Sequence, residues 1–139
     1  MCHGGVPRRV LAADEQRTWQ AQELIDGTVE LVLGCLSMIF SRAELEGVVR
    51  LLEAADAAPD TTGVLATLSP ERGVYRCPTC GRTIAILWDK TVLRLQPREF
   101  RALARLCRCA AETLGACPEP AAEVLVEYTL ASVTPSPLN

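Results

Sequence analysis

Two cysteines separated by two residues form the one local pattern with chemistry in this 139-residue chain: Tyr75-Arg76-Cys77-Pro78-Thr79-Cys80-Gly81-Arg82-Thr83-Ile84. A tight turn between two strands can aim a pair of thiolates at one tetrahedral metal ion, while the turn's own amides hydrogen-bond the sulfurs. Pro78 fixes the turn, and Gly81 permits the backbone conformation needed after the second cysteine. The same spacing serves thiol–disulfide exchange. There, however, the pair opens a helix whose N-terminus lowers the first thiol's pKa. Here the alternating residues 83–88 predict a strand after the pair, which favours metal over redox chemistry.

The stretch 75–84 resembles the zinc knuckle of zinc-ribbon and rubredoxin-type proteins. That resemblance implies zinc, with Cys77 and Cys80 as two of its ligands. A ribbon takes its remaining ligands from a second Cys-x-x-Cys, and this chain has none, so the functions of those families do not come with the knuckle. Cys2 and His3 are the candidates to complete a four-ligand set. The other cysteines read differently. Cys107 falls on the apolar stripe of a predicted helix and reads as a small buried hydrophobe. Cys109 is about 200° further around that helix, too far for the two to share an ion. Cys35 falls in a predicted turn, and Cys117 follows a predicted helix end. Seven cysteines is an odd number, so a disulfide framework would leave one unpaired. His3 is the only histidine, which nearly excludes a catalytic triad or a multi-histidine metal site. With no general base, phosphate loop or cofactor fingerprint either, the sequence predicts a binding protein and no enzyme.

The elements that must carry the knuckle are organised by an internal duplication. With a shift of 55, residues 30–55 (ELVLGCLSMIFSRAELEGVVRLLEAA) align without a gap on residues 85–110 (AILWDKTVLRLQPREFRALARLCRCA). Glu44, Arg50, Leu51 and Ala55 recur as Glu99, Arg105, Leu106 and Ala110. In both copies the apolar period changes from two to about 3.6 at the same place, from hairpin to helix. Gly34-Cys35 and Asp89-Lys90 are the predicted hairpin turns. Ser41 and Glu44 form a capping box, and Pro97 and Glu99 mark the start of the second helix. The stripe Leu45, Val48, Val49, Leu52, Ala55 matches Phe100, Leu103, Cys107, Ala110, Leu114. First-turn position accounts for Glu44 and Glu99 without a catalytic role. Gly115, followed by Pro118, predicts the second helix's end. By the same shift, Cys77 and Cys80 correspond to Gln22 and Ile25, and Cys2 and His3 to Ala57 and Ala58.

Weaker upstream matches extend each copy to four strands and a helix. The expected fold is α+β: two tandem strand-rich units, each ending in an amphipathic helix, with helices packed on antiparallel sheet in one compact domain. The units are residues 1–58 and 59–115. Residues 116–139 follow as a Pro-rich break, a strand at 124–129 and a loose tail. Pairing of the units is expected to bury a second sheet face, where Val32 and Leu87 point. Charge divides between the copies, with −6 over residues 14–58 (nine acidic, three basic) and +6 over residues 71–108 (nine basic, three acidic). The split predicts attraction between the halves, to which Arg98 and Arg101 contribute. It leaves open a protein partner, self-association, or a nucleic-acid face built from Arg94, Arg98, Arg101, Arg105 and Arg108. The net charge of −3 and the 4% aromatic content weigh against nucleic acid. No apolar run spans a bilayer and no signal-peptide pattern opens the chain, so a cytoplasmic location is expected.

Overall fold

The computed structural model describes residues 6–116; the 124–129 strand, the tail, Cys2, His3 and Cys117 lie outside them. The elements run β1 (Pro7–Asp14), β2 (Trp19–Leu24), β3 (Val29–Leu33), β4 (Leu36–Phe40), α1 (Arg42–Asp56), β5 (Gly63–Ser69), β6 (Arg72–Arg76), β7 (Ile84–Trp88), β8 (Thr91–Leu95) and α2 (Pro97–Ala116). The strands form two four-stranded antiparallel meanders, β1-β2-β3-β4 and β5-β6-β7-β8. The duplicated order of four strands and a helix is therefore present in three dimensions.

Local signals act in the same way in both units. Each tight hairpin has two loop residues, and the first has positive φ: Gly34 at 69° and Asp89 at 57°. Glycine adopts this region freely, and Asp is among the few side chains that tolerate it. Asp89 is also held by Arg72, whose Nε donates to Oδ1 at 2.9 Å. Ser41 caps α1 through a complete box: its Oγ accepts from the Glu44 amide, and a Glu44 carboxylate oxygen accepts from the Ser41 amide. Gln96, one repeat on, has only half of this, with its amide donating to Glu99 Oε1 at 2.8 Å. Leu52 and Cys107 occupy matching core positions, both fully buried. α2 continues through Gly115 to Ala116.

Each sheet contributes one face to a shared core. In β3, Val29, Leu31 and Leu33 are buried, as are Ile84, Ile86 and Trp88 in β7. Val32 and Leu87, on the opposite face, are only half-buried. The expected second core is not formed, because both helices cover the same sides of the sheets as the sheets present to each other.

The helices are exchanged between units. α1 packs chiefly on β5 and β6, and α2 on β1 and β2, while each touches its own sheet mainly at the strand it leaves. The connectors explain this. One residue, Ser41, joins β4 to α1, and one, Gln96, joins β8 to α2. So short a link from an edge strand cannot turn a helix back across its own sheet. The Thr113 hydroxyl donates to the Leu11 carbonyl at 3.1 Å, and Gly47 of α1 lies against Leu68 and Trp88. The helices also contact each other in antiparallel fashion: Arg42 and Leu45 lie near Leu114, and Ala55 near Pro97 and Phe100. Phe40 and Trp88 meet edge to face across the units, centroids 5.7 Å apart.

The charge split follows the exchange. Arg108 of α2 pairs with Glu53 of α1 at 3.5 Å, and Arg72 of β6 with Glu44 of α1 at 3.5 Å. These pairs join the acidic copy to the basic one. The ion pairs that join the copies run through Arg72 and Arg108, while Arg101 borders a cleft with Asp56 of α1.

Candidate metal centre

The knuckle is the loop between β6 and β7, a strand–turn–strand setting. The Cys77 amide donates to the Thr83 carbonyl at 2.8 Å, closing the base, and the Gly81 amide donates to the Cys77 carbonyl at 2.9 Å. Gly81 has φ of 70°, the left-handed conformation that Gly supplies at least strain. Three amide donors then converge on the sulfurs, beside one side-chain contact. The amides of Arg82 and Thr83 donate to Cys80 Sγ at 3.4 and 3.3 Å, the Cys80 amide donates to Cys77 Sγ at 3.5 Å, and the Thr83 side chain lies 3.5 Å from Cys80 Sγ. Sequence reasoning overlooked Thr83. Its position two residues past the glycine was the only available signal.

Strand register shows where the knuckle came into the repeat. Trp19 pairs with Leu33, and Arg72 with Trp88, so β2 and β6 correspond with a shift of 53, not 55. The residue equivalent to Cys77 is therefore Leu24, not Gln22. The loop hydrogen bonds agree, since the Leu24 amide donates to the Thr28 carbonyl at 2.9 Å, as Cys77 does to Thr83. Three residues, 25–27, link Leu24 to Thr28, whereas five, 78–82, link Cys77 to Thr83. The two extra residues make room for the second cysteine, and Ile25 has no counterpart role.

Electrostatics distinguish the thiols. Cys80 is exposed, and its pKa is drawn down to about 6. The Thr83 side chain contributes most, then the amides of Thr83 and Arg82, which outweigh slight desolvation; contact with Cys77 adds to the shift. Donors aimed at a sulfur stabilise its thiolate. Burial pushes the Cys107 thiol up to about 12. At pH 7 the metal-free native protein is therefore expected to be alkylated by iodoacetamide first at Cys80, with Cys107 protected until denaturant is added. Peptide mass mapping over time checks this order, and early labelling of Cys107 would contradict it.

The remaining candidates are dispersed. Cys35 is exposed in the β3–β4 turn, and Cys109 is half-buried on α2 facing the β1–β2 turn. No group of three or more His, Cys, Asp or Glu side chains suited to a metal occurs among the described residues. The arginines of α2 are exposed, and three of them lie beside acidic groups: Arg101 borders a cleft with Asp56 and Asp60, Arg105 one with Asp14 and Glu15, and Arg108 pairs with Glu53. The apolar void between the sheets holds only about 30 Å³, far below the few hundred Å³ of a ligand pocket. No described helix is long and apolar enough to cross a membrane. No protein-family model, curated protein or solved structure matches the chain.

The sequence also gave no sign of the buried carboxylate at Glu23, which is 1% exposed. Arg9 Nε donates to it at 2.7 Å and Arg42 at 3.0 Å, with Arg8 at 3.9 Å. By the β2–β6 register its counterpart is Arg76, which faces Asp60 at 3.8 Å. The two units thus carry opposite charges at one equivalent position.

Proposed function

We propose that this protein is a small cytoplasmic interaction module that holds a structural zinc ion through Cys77 and Cys80. The observation that carries the reading is the convergence of three backbone amides on the two sulfurs. Amide donors of this kind balance the charge of metal thiolates and orient them. Zinc would supply a tetrahedral anchor for the β6–β7 loop and no redox chemistry. The loop's own residues set the donor geometry, and Arg82 adds a positive charge beside it. Arg108 of α2 pairs with Glu53, and Arg101 and Arg105 border clefts that contain acidic groups, which supports a protein partner over a nucleic acid. A cytoplasmic location fits thiols that must stay reduced.

The test is zinc content of the purified full-length chain. The native protein is expected to hold zinc against dialysis. Cys77→Ser and Cys80→Ser are each expected to lose it while keeping the native circular dichroism spectrum, because both side chains lie outside the core. Equal zinc in the double serine variant would overturn the reading.

A further inference from the structure

Zinc needs about four ligands in a structural site, and the knuckle supplies two. We infer that the site is completed by the same two cysteines of a second copy of this chain, so that one zinc joins two knuckles in a symmetric dimer; this rests on the zinc reading above.

Among the described residues no third ligand stands near the loop. Cys2 and His3 are tethered to Val6, whose carbonyl accepts from the Ile25 amide at 3.0 Å in the β2–β3 turn. That turn lies at the α1 N-terminus, since the neighbouring Glu23 pairs with Arg42. The knuckle lies at the opposite end: Arg76 and Ile84, which flank it, share a cleft with Ala55, Asp56, Pro97 and Phe100. Between Phe100 and Thr113, which bonds Leu11, α2 rises about 20 Å, and β1 carries Val6 further away still. Four residues of extended chain reach at most about 14 Å. Cys2 and His3 therefore fall short of their own chain's knuckle.

The loop's form suits a partner. Pro78, Thr79, Cys80 and Arg82 are exposed, with Cys77 beneath them, so two loops can meet tip to tip with little else in the way. Two thiolates from each copy give a four-sulfur tetrahedron around a two-fold axis, an arrangement that closes at the dimer. Four thiolates around one Zn²⁺ leave a charge of −2, which an Arg82 from each copy offsets. Little protein surface is buried in such a contact, so the metal must provide most of the affinity and dimerisation must depend on it.

Zinc titration of the full-length chain, read by metal analysis and light scattering, tests this. Saturation is expected at half an equivalent of zinc per chain, with the mass doubling from 15.0 kDa and returning to monomer with a chelator. Cys77→Ser is expected to abolish both zinc binding and dimerisation. Cys2→Ser combined with His3→Ala is expected to change neither. One zinc per chain in a monomer would overturn the shared site while leaving the zinc reading intact. So would one zinc per chain in open oligomers that the Cys2/His3 variant dissolves, which would indicate head-to-tail completion. A dimer that persists in Cys77→Ser would show that the metal is not the link. Absence of zinc binding would remove both this inference and the reading beneath it.

Discussion

Expressed as separate chains, residues 1–58 and 59–139 are expected to be unfolded alone and to regain the native spectrum when mixed. The reason is the helix exchange. Without the second half, β1 and β2 lose α2 as their cover, and α1 loses the β5–β6 surface on which it packs. With fewer than 60 described residues in each half and its sheet face exposed, a separate half buries too little apolar surface to offset its conformational entropy. Reassociation should be driven mainly by apolar burial. Glu44→Gln with Arg108→Gln, which breaks both cross-unit pairs, is expected to weaken it by less than about tenfold at low salt, since partly exposed pairs contribute at most about 1 kcal/mol each. Arg98→Gln with Arg101→Gln should leave it unchanged. Circular dichroism of each half and titration of one with the other read the outcome. A half that folds cooperatively by itself would contradict the exchange.

Replacing the two hydrogen-bonding partners of the buried carboxylate, Arg9→Met with Arg42→Met, leaves only Arg8 at 3.9 Å and is expected to destabilise the protein by about 3 kcal/mol at neutral pH, the low end of what breaking a buried ion pair costs. Adding Glu23→Leu to the pair should recover much of that loss, because an apolar side chain of similar size needs no partner there. The pH dependence separates this from simple loss of packing. In the native protein burial alone would raise the Glu23 pKa, but the hydrogen bonds and charges of Arg9 and Arg42 outweigh it and hold the value below the ordinary carboxylate range. A lowered folded-state pKa gives stability that is present above the unfolded value, near 4.5, and lost as pH falls through the folded value. In the double Met variant burial is opposed only by the more distant Arg8, and the pKa rises. Its deficit should therefore shrink on acidification, as Glu23 takes up a proton, and urea unfolding across pH 4 to 7 measures this. A deficit independent of pH would mean that the arginines act through their alkyl stems and not through charge.

Everything that depends on neighbours along the chain was legible in the residues. The strand–turn–strand–helix order, the hairpin turns at Gly34 and Asp89, the capping box of Ser41 and Glu44, and the buried equivalence of Leu52 and Cys107 follow from periodicity and local hydrogen bonding, which act over a few residues. The strand context of Cys77 and Cys80 was visible for the same reason. What the tertiary structure decided was which surfaces meet. Because the units are repeats, both sheets offer nearly the same apolar face, so a helix stripe cannot specify which of them it covers; the one-residue connectors at Ser41 and Gln96 settle it in favour of exchange. Glu23 reads as an ordinary surface carboxylate in sequence, and only the approach of Arg9 across the β1–β2 ladder and Arg42 from α1 makes its burial tolerable. The two-residue insertion that admits Cys80 is likewise invisible to an ungapped alignment. Cross-strand hydrogen bonding shows it, because partners 6 to 16 residues apart fix the register.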